Sequence, residues 1–206
     1  MYVPQHNQVT DHAKRLDFMR AHSFAAVISH ASSGLRATHV PVLIEEVEDR
    51  IRILFHMAKA NPQGMDLAQG QEAMMIYAGP HAYISPRLYE RTESVPTWNY
   101  AAVHAYGIPS ILENPEDKLG LLEKLINLLD PDYLVKFRSL RQEYVNQRLG
   151  AIVAFSFQVT RLQARFKLSQ DRSKTERERI IATLEGADDG AAVETAQLMR
   201  EWLTTT

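Results

Sequence analysis

The stretch GPHAYISPRLYERTESVPTWNYAAVHAYG, from Gly79 to Gly107, gathers His81, Tyr83, Trp98, Asn99, Tyr100 and His104 within one short run. Strand alternation sorts them. From Val95 onward Trp98, Tyr100, Ala102 and His104 share one face, and Asn99, Ala101 and Val103 share the other. An indole, a phenol and an imidazole on one side suit a planar ligand, because rings stack and polar groups reach heteroatoms at its edge. The same row also reads as core or subunit interface, with the Trp N–H and Tyr O–H finding partners inside. His81 reads first as a satisfied polar group at a sheet edge, with roles as ligand or base left open.

Three further places carry chemistry-bearing side chains. THVP sets His39 two residues before Pro41; proline cannot donate to a ladder, so this strand is expected at an edge or bulged there. FHMAKANPQ spreads His56, Lys59, Asn61 and Gln63 over a strand end and the following loop. An amide, a cation and backbone N–H groups at that point can hold a phosphate, although Asn–Pro is also an ordinary turn. RFKLSQDRS places Arg165, Lys167, Gln170 and Arg172 just before a helix that Ser173 can cap. A helix N-terminus beside cations is an anion site. The other reading is a solvated basic segment balanced by Asp171, Glu176 and Glu178.

Several chemistries are excluded. With no cysteine there is no thiolate, iron–sulfur or cysteine–zinc site. The sequence has no glycine-rich dinucleotide turn, phosphate loop, nucleophile elbow or HExxH. The eight histidines are scattered, so no metal site is assigned. A net charge of −2 exerts no general pull on nucleic acid or anionic lipid. No apolar signal core or membrane-length run is present, and the expected location is the cytoplasm.

The elements that must position these residues follow from period and punctuation. Thr10 to Arg20 reads as a helix. FAAVIS, RATHVPVLIEE, IRILFHMA, AMMIYAG with AYIS, TWNYAAVHAYG and AIVAFSFQVTRLQARFKLS read as strands with tight connections at HASSG and Glu48–Arg50, hence antiparallel. Asn114 caps a helix with Leu119, Leu122, Ile126 and Leu129 on its apolar face; Pro131 ends it, and DYLVKFRSLRQEYVNQRL makes a second. Two helices close the chain, the first stopped by Gly186. The expected fold is α+β, a small β-barrel with peripheral helices.

Taken together, MYVPQH, THVPVL, FHMAKANPQ, GPHAYISP, VPTWNYAAVHAYG and FKLSQDRS resemble the PaiB family. Its members are described as FMN-binding split-barrel proteins and negative transcriptional regulators of proteolysis and sporulation genes. The likeness runs from Met1 to about Ser173. It departs at Asn7, where an aromatic is usual, and at Asp171, where Asn is usual; the first is expected to loosen the N-terminal arm. The resemblance implies a split β-barrel over 1–172 with a helical insertion near 114–148, and a helical extension over 173–206. It implies a homodimer with FMN at the subunit interface. Candidate cofactor contacts are then His39, His56, Lys59, Asn61, Gln63, Trp98, Tyr100, His104, Lys167, Gln170 and Arg172. FHMAKANPQ stands where related barrels grip the phosphate with Arg, Lys, Ser and Thr, so its grip is expected to be weaker.

The first functional reading is therefore an FMN-binding regulator of the PaiB type that senses redox state or a ligand. No residue is an evident catalytic acid, which ranks a flavin reductase or other flavin-dependent oxidoreductase second. A haem-binding split barrel with His104 as axial ligand, and a flavin-free regulator binding DNA or a partner protein, are the remaining alternatives. For direct DNA binding the basic stretch from Arg161 to Lys174 is the candidate footprint.

Overall fold

Period-two burial builds the strands. The computed structural model describes residues 1–204 apart from 33 and 49. Among the described residues six strands form: β1 Phe24–Ala31, β2 Gly34–Val47, β3 Arg50–Ala58, β4 Ala73–Ile84, β5 Thr97–Ile111 and β6 Ile152–Lys167. They close into a barrel in the order β1-β2-β3-β6-β5-β4. The pairings recorded for β1–β2, β1–β4, β2–β3 and β3–β6 are antiparallel. The two expected tight turns include Ser33 and Asp49, which lie outside the described residues.

Pro41 does not mark a sheet edge. β2 pairs with β1 through Pro41 opposite Phe24, then with β3 from Val42 opposite Phe55 onward. The residue that lacks a donor N–H thus sits where the strand exchanges partners, and costs no interior ladder bond.

Seven α-helices are found among the described residues: α1 His12–Ala21, α2 Gln63–Leu67, α3 Pro115–Leu129, α4 Tyr133–Arg138, α5 Gln142–Gly150, α6 Lys174–Glu185 and α7 Gly190–Thr204. The expected second insertion helix is divided into α4 and α5, the break falling at Ser139–Arg141. In α3 the buried pair is Leu121 and Leu125, while Leu129 is 63% exposed. Apolar residues occupy so much of the circumference of α3 that the sequence period did not select the buried stripe.

The chain falls into two compact units. One comprises Leu16–Tyr77 and His104–Leu162. Its interior holds Val27, Val42, Ile53, Met75, Tyr77 and the stacked pair Phe55 and Phe155, whose ring centroids are 5.2 Å apart. Outside the sheet, Leu121 and Leu125 of α3 pack on Leu54 and Ala154, with Leu43 and Leu112 against them. The outer face of β1, β2 and β4 carries Ala26, Ile28, Ala37, Met74 and Ile76, which are half-buried or exposed. Phe24 and Leu35 on the same face are 68% and 75% exposed.

The other unit comprises Met1–Arg15, Ala78–Val103 and Gln163–Thr206. Ile180, Ile181 and Leu184 of α6 and Ala192, Ala196 and Met199 of α7 are buried here, as are Ala101, Ala164, Phe166 and Leu168 on or just beyond the strands. Ser173 starts α6 with a reciprocal cap: its Oγ accepts the Glu176 N–H, and the Glu176 carboxylate accepts the Ser173 N–H. Such a cap is worth about 1 kcal/mol. The N-terminal arm is packed, contrary to the loosening expected at Asn7. Asn7 is buried, Gln8 bridges Arg165, and the Val9 N–H donates to Ala164 O.

Candidate functional site

Two changes of strand parity set the outer face of the unit that carries α6 and α7. In β4 the buried set passes from Ala73, Met75 and Tyr77 to Pro80, Ala82 and Ile84, so His81 and Tyr83 point outward. In β6 it passes from Phe155 and Phe157 to Ala164 and Phe166, which turns Arg165 and Lys167 outward. A one-residue slip of the buried row is what a β-bulge within each strand would produce.

Trp98 and Tyr100 lie on the outward row of β5, and Arg165 and Lys167 on the outward row of β6. Trp98 is 51% exposed, with the His81 ring 5.4 Å and the Tyr83 ring 6.3 Å away. The Arg165 guanidinium lies 5.3 Å from the Tyr100 ring and 5.7 Å from that of Tyr2, and donates to Tyr2 O at 3.1 Å. Lys167 donates to Thr97 Oγ1. Burial, then the neighbouring Arg165 charge, holds the Lys167 ammonium below the usual lysine range. Aromatic planes bordered by two cations form a surface for a flat, electron-rich ligand. The sequence period alone does not bring Tyr2 or Arg165 to this face, and reads His81 first as a polar group at a sheet edge. The missing signal was the parity change, which only the strand register reveals.

Asn99 points the other way. Its amide exchanges hydrogen bonds with Ser169 Oγ at 3.0 and 3.1 Å and lies 3.4 Å from Met199 Sδ. Ser169 has φ +59°, the left-handed turn conformation. Gln170 closes this turn, accepting the Leu168 N–H at 2.8 Å and donating to Phe166 O. Gln170 is thereby committed to the turn rather than free to reach a cofactor. Arg172 lies with its guanidinium 4.0 Å from the buried Tyr89 ring and 3.7 Å from Asp171.

In the unit built on β1, β2 and β3, the FHMAKANPQ residues divide. Gln63 is 1% exposed; its amide nitrogen lies 3.0 Å from Val27 O and 3.1 Å from Ser29 Oγ and Arg36 O. Its amide oxygen accepts from Thr38 Oγ1 at 2.5 Å. Asn61 donates to Thr38 Oγ1 at 2.9 Å and accepts the Gln63 N–H at 3.0 Å. These two amides bind α2 to β1 and β2, and their hydrogen-bonding capacity is largely used in doing so. Arg36 is paired with Asp66 at 2.6 Å. Lys59 is exposed, and its ammonium has no partner among the described residues. That leaves it as the group of this motif available to a phosphate.

The three histidines of the candidate set point outward on separate strands. His39 is exposed on β2, with its ring 5.8 Å from that of Phe24. His56 shares the outer face of β3 with Leu54, the face that α3 covers. His104 lies on β5 two residues before Tyr106. Nδ1 of both His56 and His104 is buried without a hydrogen-bond partner, and burial pulls both imidazoles below the usual histidine range. An unpaired buried ring nitrogen is costly unless a ligand meets it. A shallow groove of about 280 Å³ is lined in part by Ile28, His30, Leu35, Met74 and Tyr106. Taken singly, an unspent imidazole nitrogen suits a ring heteroatom and a free ammonium suits a phosphate.

Among the described residues there is no cluster of His, Asp or Glu suited to a metal, and no helix long and apolar enough to cross a membrane. The closed antiparallel barrel with its helices is a split-barrel α+β fold of the flavin-binding kind. Two solved structures share it. One is the FAD and haem binding protein from Mycobacterium smegmatis, with TM-score 0.62 and 16% identity over 78% of this chain and 73% of that one. The other is the flavocytochrome Anf3 from Azotobacter vinelandii, with TM-score 0.63 and 14% identity over 80% and 72%.

The chain belongs to the family described as "Putative FMN-binding domain", which matches residues 1–161. Membership makes FMN its cofactor. The chain is also 35% identical to the Bacillus subtilis protein "Protease synthase and sporulation protein PAI 2", over 98% of each.

Proposed function

We propose that this FMN-binding split-barrel protein is a homodimeric cytoplasmic regulator of the PaiB type, in which flavin occupancy or redox state carries the signal. The observation behind the regulatory role is the full-length likeness to PAI 2. Bound flavin supplies reversible electron acceptance. The candidate contacts are Trp98 and Tyr100 ring faces and the Lys167 cation in one unit, and the unspent His104 nitrogen and the Lys59 ammonium in the other. Comparing transcripts between cells lacking the gene and their parent strain tests the role. Altered protease or sporulation transcripts are expected, and an unchanged profile removes the regulatory reading. Steady NAD(P)H oxidation by the FMN-loaded protein would instead make it an oxidoreductase.

The route to the genome is best read as indirect. Arg161 lies over the Tyr106 ring at 3.6 Å, and Lys174 is 3.8 Å from Glu178. Arg165 donates to Tyr2 O and Lys167 to Thr97 Oγ1, so several cations of the basic stretch already have partners within the chain. In a gel shift at near-physiological salt the protein alone should leave promoter DNA unshifted. A shift that an Arg165/Lys167/Arg172 triple alanine variant loses, with a log–log salt slope of about −0.9 per phosphate, would establish direct binding instead.

The dimer reading rests on the uncovered sheet faces, the row from Trp98 to His104 and the outer face of β1, β2 and β4. Exposed apolar area of this extent favours burial by a second copy. Wild type should sediment as a dimer at micromolar concentration, and Ile28→Glu should shift it to monomer. A wild-type monomer at that concentration would refute the interface.

A further inference from the structure

Two adjoining cavities open beside the Ser169–Arg172 turn. One, of about 550 Å³, is lined by Arg91, Glu93, Ser94, Val95 and Arg172. The other, of about 480 Å³, is lined by Glu90, Arg91, Asp171, Arg172, Ser173 and Glu176. Both guanidinium groups line both cavities. Arg172 is held in place by the Tyr89 ring beneath it. Arg91 has no side-chain partner among the described residues. Glu176 cannot neutralise them fully, because its oxygens accept the N–H groups of Glu90 at 2.9 Å and Ser173 at 3.1 Å. Those bonds, that from Glu90 foremost, hold its carboxyl below the usual range. Glu93 has no recorded side-chain partner, and Asp171 has only the long contact to Arg172.

This lining selects by charge. A simple anion would meet Glu90, Glu93 and Asp171, and a simple cation would meet two guanidinium groups. A molecule bearing both charges satisfies each in turn. Val95, which is 75% exposed at the wall, offers an apolar contact. Both cavities are open surface recesses, so charge complementarity rather than enclosure selects the ligand. We propose that this site binds an apolar α-amino acid as its zwitterion. The carboxylate lies between Arg91 and Arg172, the ammonium against Glu93, and the side chain along Val95. The proposal does not depend on the flavin reading.

Calorimetric titration of the full chain with L-leucine tests the site, against isocaproate, which lacks the ammonium, and isoamylamine, which lacks the carboxylate. L-leucine should bind saturably and both analogues at least tenfold more weakly, by a loss of about one charge-assisted contact. Arg91→Ala and Glu93→Gln, both at exposed positions, should each weaken L-leucine about tenfold with unchanged melting temperature and FMN affinity. Isocaproate binding as tightly as L-leucine would make this a plain anion site and overturn the proposal. So would an absence of L-leucine binding, or binding that neither variant weakens.

Discussion

Gly107→Ala is expected to be among the most damaging single-methyl changes in this chain. A Cβ at that point of β5 would stand 2.2 Å from Gln158 O and 2.6 Å from Phe157 Cε1. The nearer obstacle is backbone of the adjoining strand and the other is a fully buried ring, so neither can swing aside. Overpacking of this kind costs about 3 kcal/mol, at the upper end of its usual range. For a chain of this size each kcal/mol moves the melting temperature by about 2–4 °C, so a fall of roughly 6–12 °C is expected. Gly120→Ala supplies the control. That glycine lies inside α3 with nothing within 4 Å of its Cβ position. Alanine there should stabilise by about 0.5–1 kcal/mol. Thermal melts giving both variants the same change would contradict the close approach of β5 to β6.

Gln63→Leu should be as severe for a different reason. The substitution keeps bulk while removing the amide that reaches Val27 O, Ser29, Arg36 O and Thr38. Each buried group left unpaired costs about 1 kcal/mol or more, so a loss of roughly 3 kcal/mol is expected in chemical denaturation. Its effect on ligands should be unselective, with FMN and riboflavin weakened alike, because the side chain holds α2 in place and does not meet the phosphate. A stable Gln63→Leu protein that had lost FMN selectively would return this residue to the phosphate site.

These two residues also show where sequence reading stops. Alternation in TWNYAAVHAYG correctly separated Trp98, Tyr100 and His104 from Asn99, because strand period is a local property. The Ser173 cap was legible for the same reason. Asn99 bonds Ser169 across 70 positions of sequence, and Gln63 reaches Val27 across 36. No local period records such pairings, so Gln63 and Asn61 looked like free polar groups in a turn. Pro41 signalled an irregularity without saying that it was a change of partner. The outward turn of Arg165 depended on a parity slip within β6 that the unbroken strand pattern concealed. The helix α3 was easy to find, but its buried stripe depended on where Leu54 and Ala154 would lie.

The central claim is that this barrel binds FMN by its ring and its phosphate. Titrating the purified full chain with FMN and with riboflavin, followed by tryptophan emission and flavin absorbance, tests it most directly. FMN should bind saturably and more tightly than riboflavin. Lys59→Ala should narrow that difference about tenfold or more, since a charge-assisted contact is worth about 1.5–3 kcal/mol. Trp98→Phe should remove much of the emission change, leaving that of Trp202. No saturable FMN binding at any accessible concentration would contradict the claim outright, and equal affinity for FMN and riboflavin in wild type would contradict the phosphate contact at Lys59.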